Sequence, residues 1–505
     1  MGKKLSKKIK ILSIIFSAVA VVVGIIVGIV VSANSFGKVV KKASKNLTTY
    51  TINATLNDNY TINANQTINY VNNTQTNLDN ICLHLYARAF RETAIIRPYT
   101  NLNKASCFPN GISYGDIAIS KVNVNGNSAN FEFVGSDSDI LKINLANPLK
   151  EKDKLNIELD YDLTLPNSTH RLGYYNNTIN LGNWYPIVCA FESGQWNTTP
   201  YYSTGDPFVS DCANYNVTIT YPEKYNCYAT GDKTVTDTNK STFKALAVRD
   251  FAAVFTADAN EQSLYSGKTK VTYVGYGSDA DVSENAKLSA EATTYFSKTF
   301  GEYPYNSLTI VKSAFVHGGM EYPNLVIVSD NITNQQEFIK VIVHEIAHQW
   351  WYGIVGNNQI TSAWLDESLA EYSTCLFFED NTTYQLSYNE QIKDATASYL
   401  LYVDVISSLN GKVNTSMNLP VNCYTSEYEY TYMVYVKGVV MFDSLREVVG
   451  KEKLLKGLKK YCKQYRFKIA TDTDFINTLK QVCKTDLDKF FNGWLGGTNV
   501  IGYVD

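Results

Sequence analysis

Residues 344–348 read His344-Glu345-Ile346-Ala347-His348, and nineteen residues after the second histidine stands Glu367, within Trp364-Leu365-Asp366-Glu367-Ser368. No other part of the chain constrains the fold as much. Side chains four residues apart share one face of an α-helix, so both imidazoles project together from a single helix. Two nitrogens at that spacing suit one Zn²⁺, and Glu345, one position along, falls beside the metal rather than on it. Glu367 can add an oxygen ligand only from a second helix packed on the first. The set His344, His348 and Glu367 leaves a fourth position open for water, the property that separates a catalytic zinc site from a structural one. The expected cofactor is therefore one zinc per chain. Val341-Ile342-Val343 and Ile346-Ala347 make the helix apolar and hence buried. A glutamate and two histidines on a buried helix are costly unless a metal or partners satisfy them.

A chain of 505 residues exceeds what one core usually holds, and 45% hydrophobic with 18% charged residues fits a multi-domain globular protein. A net charge of −3 leaves no footprint for nucleic acid. Residues 11–31 are apolar except for Ser13 and Ser17. At about 1.5 Å per residue such a run crosses a bilayer core of roughly 30 Å. Lysines flank it on both sides (Lys3, Lys4, Lys7, Lys8 and Lys10 before; Lys38, Lys41, Lys42 and Lys45 after). The reading is a cytoplasmic tail over 1–10, a single transmembrane helix over 11–32 and a stalk over 33–48, with the rest outside the cytoplasm at a cell membrane. The competing reading is secretion after cleavage near Val31-Ser32-Ala33. Gly24 and Gly28 form GxxxG, which would let two such helices meet as a weak homodimer. Nine cysteines show no CxxC spacing; Cys462 with Cys483, and Cys189, Cys212 and Cys227 among themselves, are the candidate pairing groups.

The remaining chain changes period once. From about Tyr50 to Tyr276 apolar residues alternate, as in Ile62, Ala64, Ile68 and Tyr70, and Asn125-Gly126 marks a hairpin between short strands. After Asp279 the pattern becomes helical: Glu284–Phe300, a metal-bearing helix from about Gln335 to Tyr352, and further helices through Phe491. This predicts a multi-domain α+β protein, an all-β domain over 49–276 followed by a mostly α domain over 277–505.

HExxH, eighteen intervening residues and then Glu367 resembles the gluzincin metallopeptidases. His317-Gly318-Gly319-Met320-Glu321-Tyr322-Pro323 resembles the GxMEN loop of the aminopeptidase N and leukotriene hydrolase type, and Tyr435-Val436-Lys437-Gly438 resembles its YxKG segment. The similarity extends over roughly residues 48–500 and includes Arg171-Leu172-Gly173, Trp184-Tyr185-Pro186 and Thr230-Gly231-Asp232. It implies a saddle-like β domain and a thermolysin-like catalytic domain, in a short form without the large helical domain that many relatives carry next. Only eleven residues follow Gly493-Trp494, which implies a more open site.

The chemistry expected of these residues is hydrolysis of a peptide's N-terminal bond. Glu345 serves as general base on zinc-bound water and returns the proton to the leaving amine. The resemblance assigns Tyr435 to stabilising the oxyanion. Glu321 would bind a free α-ammonium, while Gly318, Gly319 and Met320 offer backbone to an extended peptide. Tyr322 replaces the family's asparagine, and Asp366 stands where relatives often carry asparagine. Glu371, one turn after Glu367, either orients a ligand histidine or is solvated. His317 is expected on the surface or the substrate side rather than as a ligand. Two other readings remain at this stage: a zinc endopeptidase, and a catalytically idle surface binding protein of the same fold.

Overall fold

Period-two alternation in the first described residues yields two long strands, Thr49–Leu56 and Thr61–Val71, paired antiparallel from Thr49↔Asn69 to Leu56↔Ile62. Their alternate residues, Ile52, Ala54, Ile62, Ala64 and Ile68, turn into the core. The computed structural model describes residues 37–277 and 280–497. The expected membrane span at 11–31, with Gly24 and Gly28, lies outside them; among the described residues no helix is long and apolar enough to cross a membrane.

The two strands sit at the centre of an eight-stranded sheet. Its spatial order is Asp232–Asp237, Lys240–Val248, Ala213–Thr220, Thr49–Leu56, Thr61–Val71, Lys154–Thr164, Asp116–Val124 and Asn127–Ser128. The last two are joined by the expected turn, with φ of 50° at Asn125 and 79° at Gly126, the left-handed pair that matches hairpin twist. Two four-stranded sheets and a two-stranded one, Phe191–Glu192 with Gln195–Trp196, complete this half. Leu78–His84 belongs to one of the four-stranded sheets rather than to the large sheet. A five-stranded sheet follows, ordered Ala259–Ser266, Thr269–Tyr276, Ser307–Ser313, Leu325–Ser329 and Gly319–Met320. The change of period after Asp279 thus falls inside one sheet, because Thr269–Tyr276 pairs in parallel with Ser307–Ser313 through a crossover helix. That crossover contains α1 (Val282–Phe300), and among the described residues the edge strand Gly319–Met320 pairs only with Leu325–Ser329.

The helical half contains α2 (Gln335–Ala347), α3 (Trp364–Asp380), α4 (Tyr388–Asn410), α5 (Glu427–Thr431) and α6 (Lys437–Val449), then Lys451–Tyr465, Asp472–Cys483 and Asp488–Leu495. Asn334 caps α2 by accepting from Glu337 N–H at 3.0 Å. The helix is five residues shorter than the expected Gln335–Tyr352. His348 is its C-cap, and the chain then tightens into turns around the buried Trp350 and Trp351 before Tyr352 at φ 127°. That backbone cannot continue a helix.

All nine cysteines are free, so the expected pairing groups are corrected: Cys462 and Cys483 are buried separately, and Cys189 faces Cys82 across adjacent strands. Burial pushes the Cys82 and Cys462 thiols up to about 11 and about 12. A core of this size does not need cross-links. The halves are tied by Arg249, fully buried, whose guanidinium donates to the carbonyls of Ser210, Tyr352 and Lys468.

Candidate active site

α2 and α3 pack together and bring His344, His348 and Glu367 to one point. The Nε2 atoms of the two histidines lie 3.0 Å apart, and Glu367 Oε2 is 3.3 Å from His344 Nε2 and 3.1 Å from His348 Nε2. Ligands about 2.0–2.1 Å from a tetrahedral zinc stand about 3.3 Å from one another, so this triangle fits Zn²⁺ with little adjustment. The other nitrogen of each histidine has an oxygen close by, hydrogen-bonded in the case of His348. His348 Nδ1 meets the Trp351 carbonyl at 2.9 Å, a contact created by the helix ending at Ala347. His344 Nδ1 lies 3.2 Å from Glu371 Oε1, so Glu371 faces the ligand histidine rather than bulk water alone.

Five carboxylates, Asp206, Glu321, Glu345, Asp366 and Glu367, are buried around this point. Burial pushes Glu345 up to about 8, and the charges of Glu321 and Glu367 add to it against the two histidines. Burial likewise pushes Glu321 up to about 7, with Asp206 and Glu367 contributing. For Glu367 burial acts upward too, but His348 and His344 outweigh it and hold the carboxyl well below its usual range. So much negative charge in one desolvated place is stable only with cations present, and a metal dication is the simplest supply. Glu345 Oε2 has no hydrogen-bond partner although it is buried, consistent with a group aimed at something that binds there.

The cleft, about 720 Å³, runs past the triad and is lined by Gly318, Gly319 and Glu321 around the edge strand, with Met320 turned into the core. That strand's outer edge is unpaired within the sheet, so its backbone can receive an extended peptide. Gly319 leaves room for Glu345: any Cβ there would collide with the Glu345 carboxylate. Met320 is buried, and Arg171 Nε approaches its sulfur at 3.1 Å. Glu321 accepts from Gln359 Nε2 at 3.0 Å, and the same amide donates to Asp366 Oδ2 at 2.8 Å. Asp366 also accepts from Asn357 at 3.0 Å, and burial, then Glu367, hold it well above the usual range. Asp366 therefore braces Glu321 through Gln359. Tyr322 turns away from the metal point into the β half, where its hydroxyl donates to Asn183 at 3.1 Å.

Sequence reasoning missed Asp206, Arg171 and Gln359 as parts of this site. Oxygens of Asp206, Glu321 and Glu367 lie within 4.8 Å of one another, and Asp206 pairs with the buried Arg171. Nothing local in Gly205-Asp206-Pro207 signals that role. His317 lines the cleft as expected, with its Nε2 3.3 Å from His170 Nε2 and away from the metal triangle.

Tyr435 lies in a π-helical turn, Tyr432–Val436, between α5 and α6. Such turns widen the backbone ladder and recur at functional sites. Ser368 on α3 donates to the Val434 carbonyl at 2.6 Å, holding the turn, and a side chain at Gly438 would strike Ser368. Lys437 anchors the same segment from beneath, donating to the carbonyls of Thr415 at 2.6 Å and Trp494 at 2.9 Å. The Tyr435 ring lies over His344 with centroids 5.9 Å apart and planes at 24°. Burial, then Glu367, keeps its hydroxyl well above the usual range and hence protonated.

Residues 285–494 match the peptidase family M1 domain. Among similar proteins are the glutamyl aminopeptidase of Sus scrofa, 25% identical over 58% of this chain and 32% of its own length, and the aminopeptidase N of Lactobacillus delbrueckii subsp. lactis, 27% identical over 41% of this chain and 26% of its own. The chain thus spans about a third or less of these relatives. Among solved structures, an M1 zinc metallopeptidase from Deinococcus radiodurans superposes with a TM-score of 0.61 at 16% identity, covering 91% of this chain and 96% of that one. A mutant of that metallopeptidase bound to a Tyr-Ser-Ala substrate gives 0.62 at 17%, covering 90% of this chain and 94% of that one. At such identity the likeness shows the fold.

Proposed function

We propose, from the M1 domain match over residues 285–494 and the metal triangle within it, that the chain is a zinc aminopeptidase that removes the N-terminal residue of peptides. One observation carries the reading: Glu321 is buried beside the metal triangle and braced by Gln359, with Asp206 converging on the same space. With Asp206 already paired to Arg171, a free α-ammonium is a group that relieves Glu321, and binding it there places the first peptide bond at the triad. Zinc, when bound by His344, His348 and Glu367, supplies a Lewis acid that acidifies water and polarises the carbonyl.

The protein's own groups do the rest. Glu345 takes a proton from the attacking water and delivers it to the departing amine. The Tyr435 hydroxyl donates to the carbonyl oxygen as charge grows on it. Gly319 and Met320 align the peptide as an added strand.

The test compares a peptide amide with its N-acetylated form, using zinc-loaded protein. Cleavage of the free form at least about 100-fold faster is expected, since acetylation leaves Glu321 without a cation. Equal cleavage of both would sink the exopeptidase reading in favour of an endopeptidase. Hydrolysis of neither would leave only a binding role.

The apolar run at 11–31 supports a place outside the cytoplasm on a single membrane anchor, with Gly24 and Gly28 as a weak dimer contact. Full-length protein is then expected to stay with membranes through alkaline carbonate extraction, and its recovery in the soluble fraction would count against the anchor.

A further inference from the structure

The short helix Lys38–Ala43 and the 3-10 turn Ser44–Asn46 after it are seated on the β half, against the strand Lys240–Val248. Val40 is fully buried in the main core, and Ala43 and Leu47 pack against that core. Two side chains of the β half hold the end of the element. Asn214 Nδ2 donates to the Ser44 carbonyl at 2.9 Å, and Asn73 Nδ2 donates to the Asn46 carbonyl at 3.0 Å. The backbone from Lys38 to Asn46 is thus fixed to the body of the protein.

That fixing gives the lysines a common direction. Lys38, Lys41 and Lys42 stand three and four residues apart and share one helix face, while Val40, plugged into the core, points the opposite way. Lys45 extends the row into the following turn. Lys38, Lys42 and Lys45 are exposed and Lys41 is half-buried. None of the four forms an ion pair among the described residues, and the helix carries no acid in its first turn. Nearby, Lys152 reaches Asn73 Oδ1 at 3.4 Å, but its charge is already met by Glu151 at 3.4 Å. Four unpaired ammonium groups in one row repel one another, and an anionic surface relieves that repulsion.

We infer that Lys38, Lys41, Lys42 and Lys45 form a docking face for an anionic lipid surface, namely the membrane that holds this same chain, and that this contact seats the β half on the bilayer. The inference rests on the membrane-anchor reading above and is independent of the peptidase chemistry. Only Ser32 to Phe36 separate the end of the apolar run at Val31 from Gly37. Fully extended, that stretch reaches about 20 Å. With the run in a bilayer, the basic row is therefore tethered within reach of the headgroups and meets them at high local concentration. Lysine suits such a surface, because its ammonium is a compact charge on a flexible stem and needs no fixed geometry. The attraction fades beyond about 8 Å at physiological salt, so it rewards contact and not mere proximity.

The experiment reconstitutes the full chain in vesicles of phosphatidylcholine alone and of phosphatidylcholine with phosphatidylglycerol. Acetylation of each lysine by an uncharged reagent is then read by mass spectrometry, with Lys393 and Lys412, exposed in the helical half, as internal reference. In the anionic vesicles, relative labelling of Lys38, Lys42 and Lys45 is expected to fall at least about 5-fold, and to recover in about 1 M salt, where the range of the attraction shrinks to about 3 Å. In a chain carrying Lys41→Gln and Lys42→Gln, labelling of Lys38 and Lys45 should fall less than about 2-fold, because half of the charge is gone. Equal labelling in the two kinds of vesicle overturns this inference alone, as does protection that persists in high salt or in the double variant. A chain that floats with neither kind of vesicle after alkaline carbonate overturns the anchor reading and this inference with it.

Discussion

Glu345→Gln is expected to lower kcat on a cleavable aminoacyl reporter by about 10³-fold while leaving one zinc per chain. Glutamine preserves the volume that Gly319 leaves free and the hydrogen-bonding reach of the side chain, but it cannot accept a proton. The carboxylate is buried, its Oε2 has no protein partner, and that burial pushes it up to about 8 against the pull of His344. It is thus held close to where a base exchanges protons most readily near neutral pH once a dication offsets part of the surrounding charge. Zinc content measured alongside kcat separates loss of the base from loss of the site. Activity within a few-fold of the unaltered chain would remove Glu345 from the chemistry. Stripping the metal with a chelator should abolish activity in the unaltered chain and restore it on readdition of zinc.

Tyr435→Phe should cost about 10²–10³ in kcat with little change in KM. The substitution removes only a hydroxyl, leaving the ring over His344 and its edge contact with Tyr430 at 5.7 Å. Because burial and Glu367 keep that hydroxyl protonated, it remains a donor throughout the working pH range. A donor to the developing oxyanion acts in the transition state, so its loss falls on kcat. A raised KM at unchanged kcat would instead make Tyr435 a substrate-binding residue.

Much of this site was legible because its chemistry is local in the chain. The four-residue interval from His344 to His348 becomes a shared helix face by geometry alone, and Glu367 needs only one helix–turn–helix excursion to return. Alternation alone was enough to identify the strand at 61–71, and residue type the Asn125-Gly126 turn. Glu321 and Tyr435 were legible through motif resemblance, not through periodicity. The end of α2 was misplaced by five residues because the apolar Trp350 and Trp351 continue a helical pattern, while their burial demands a turn.

What the sequence by itself determined is the grouping of His344, His348 and Glu367, the glutamate beside it and a β-then-α chain order, since each follows from spacing within one or two elements. Only the tertiary structure decided which charges meet. Asp206 and Arg171 from the β half line the cleft, and Gln359 from a loop braces Glu321 behind it, all from positions far apart in the chain. Their roles depend on burial and on who neutralises whom, and these are properties of three-dimensional packing that no local pattern encodes.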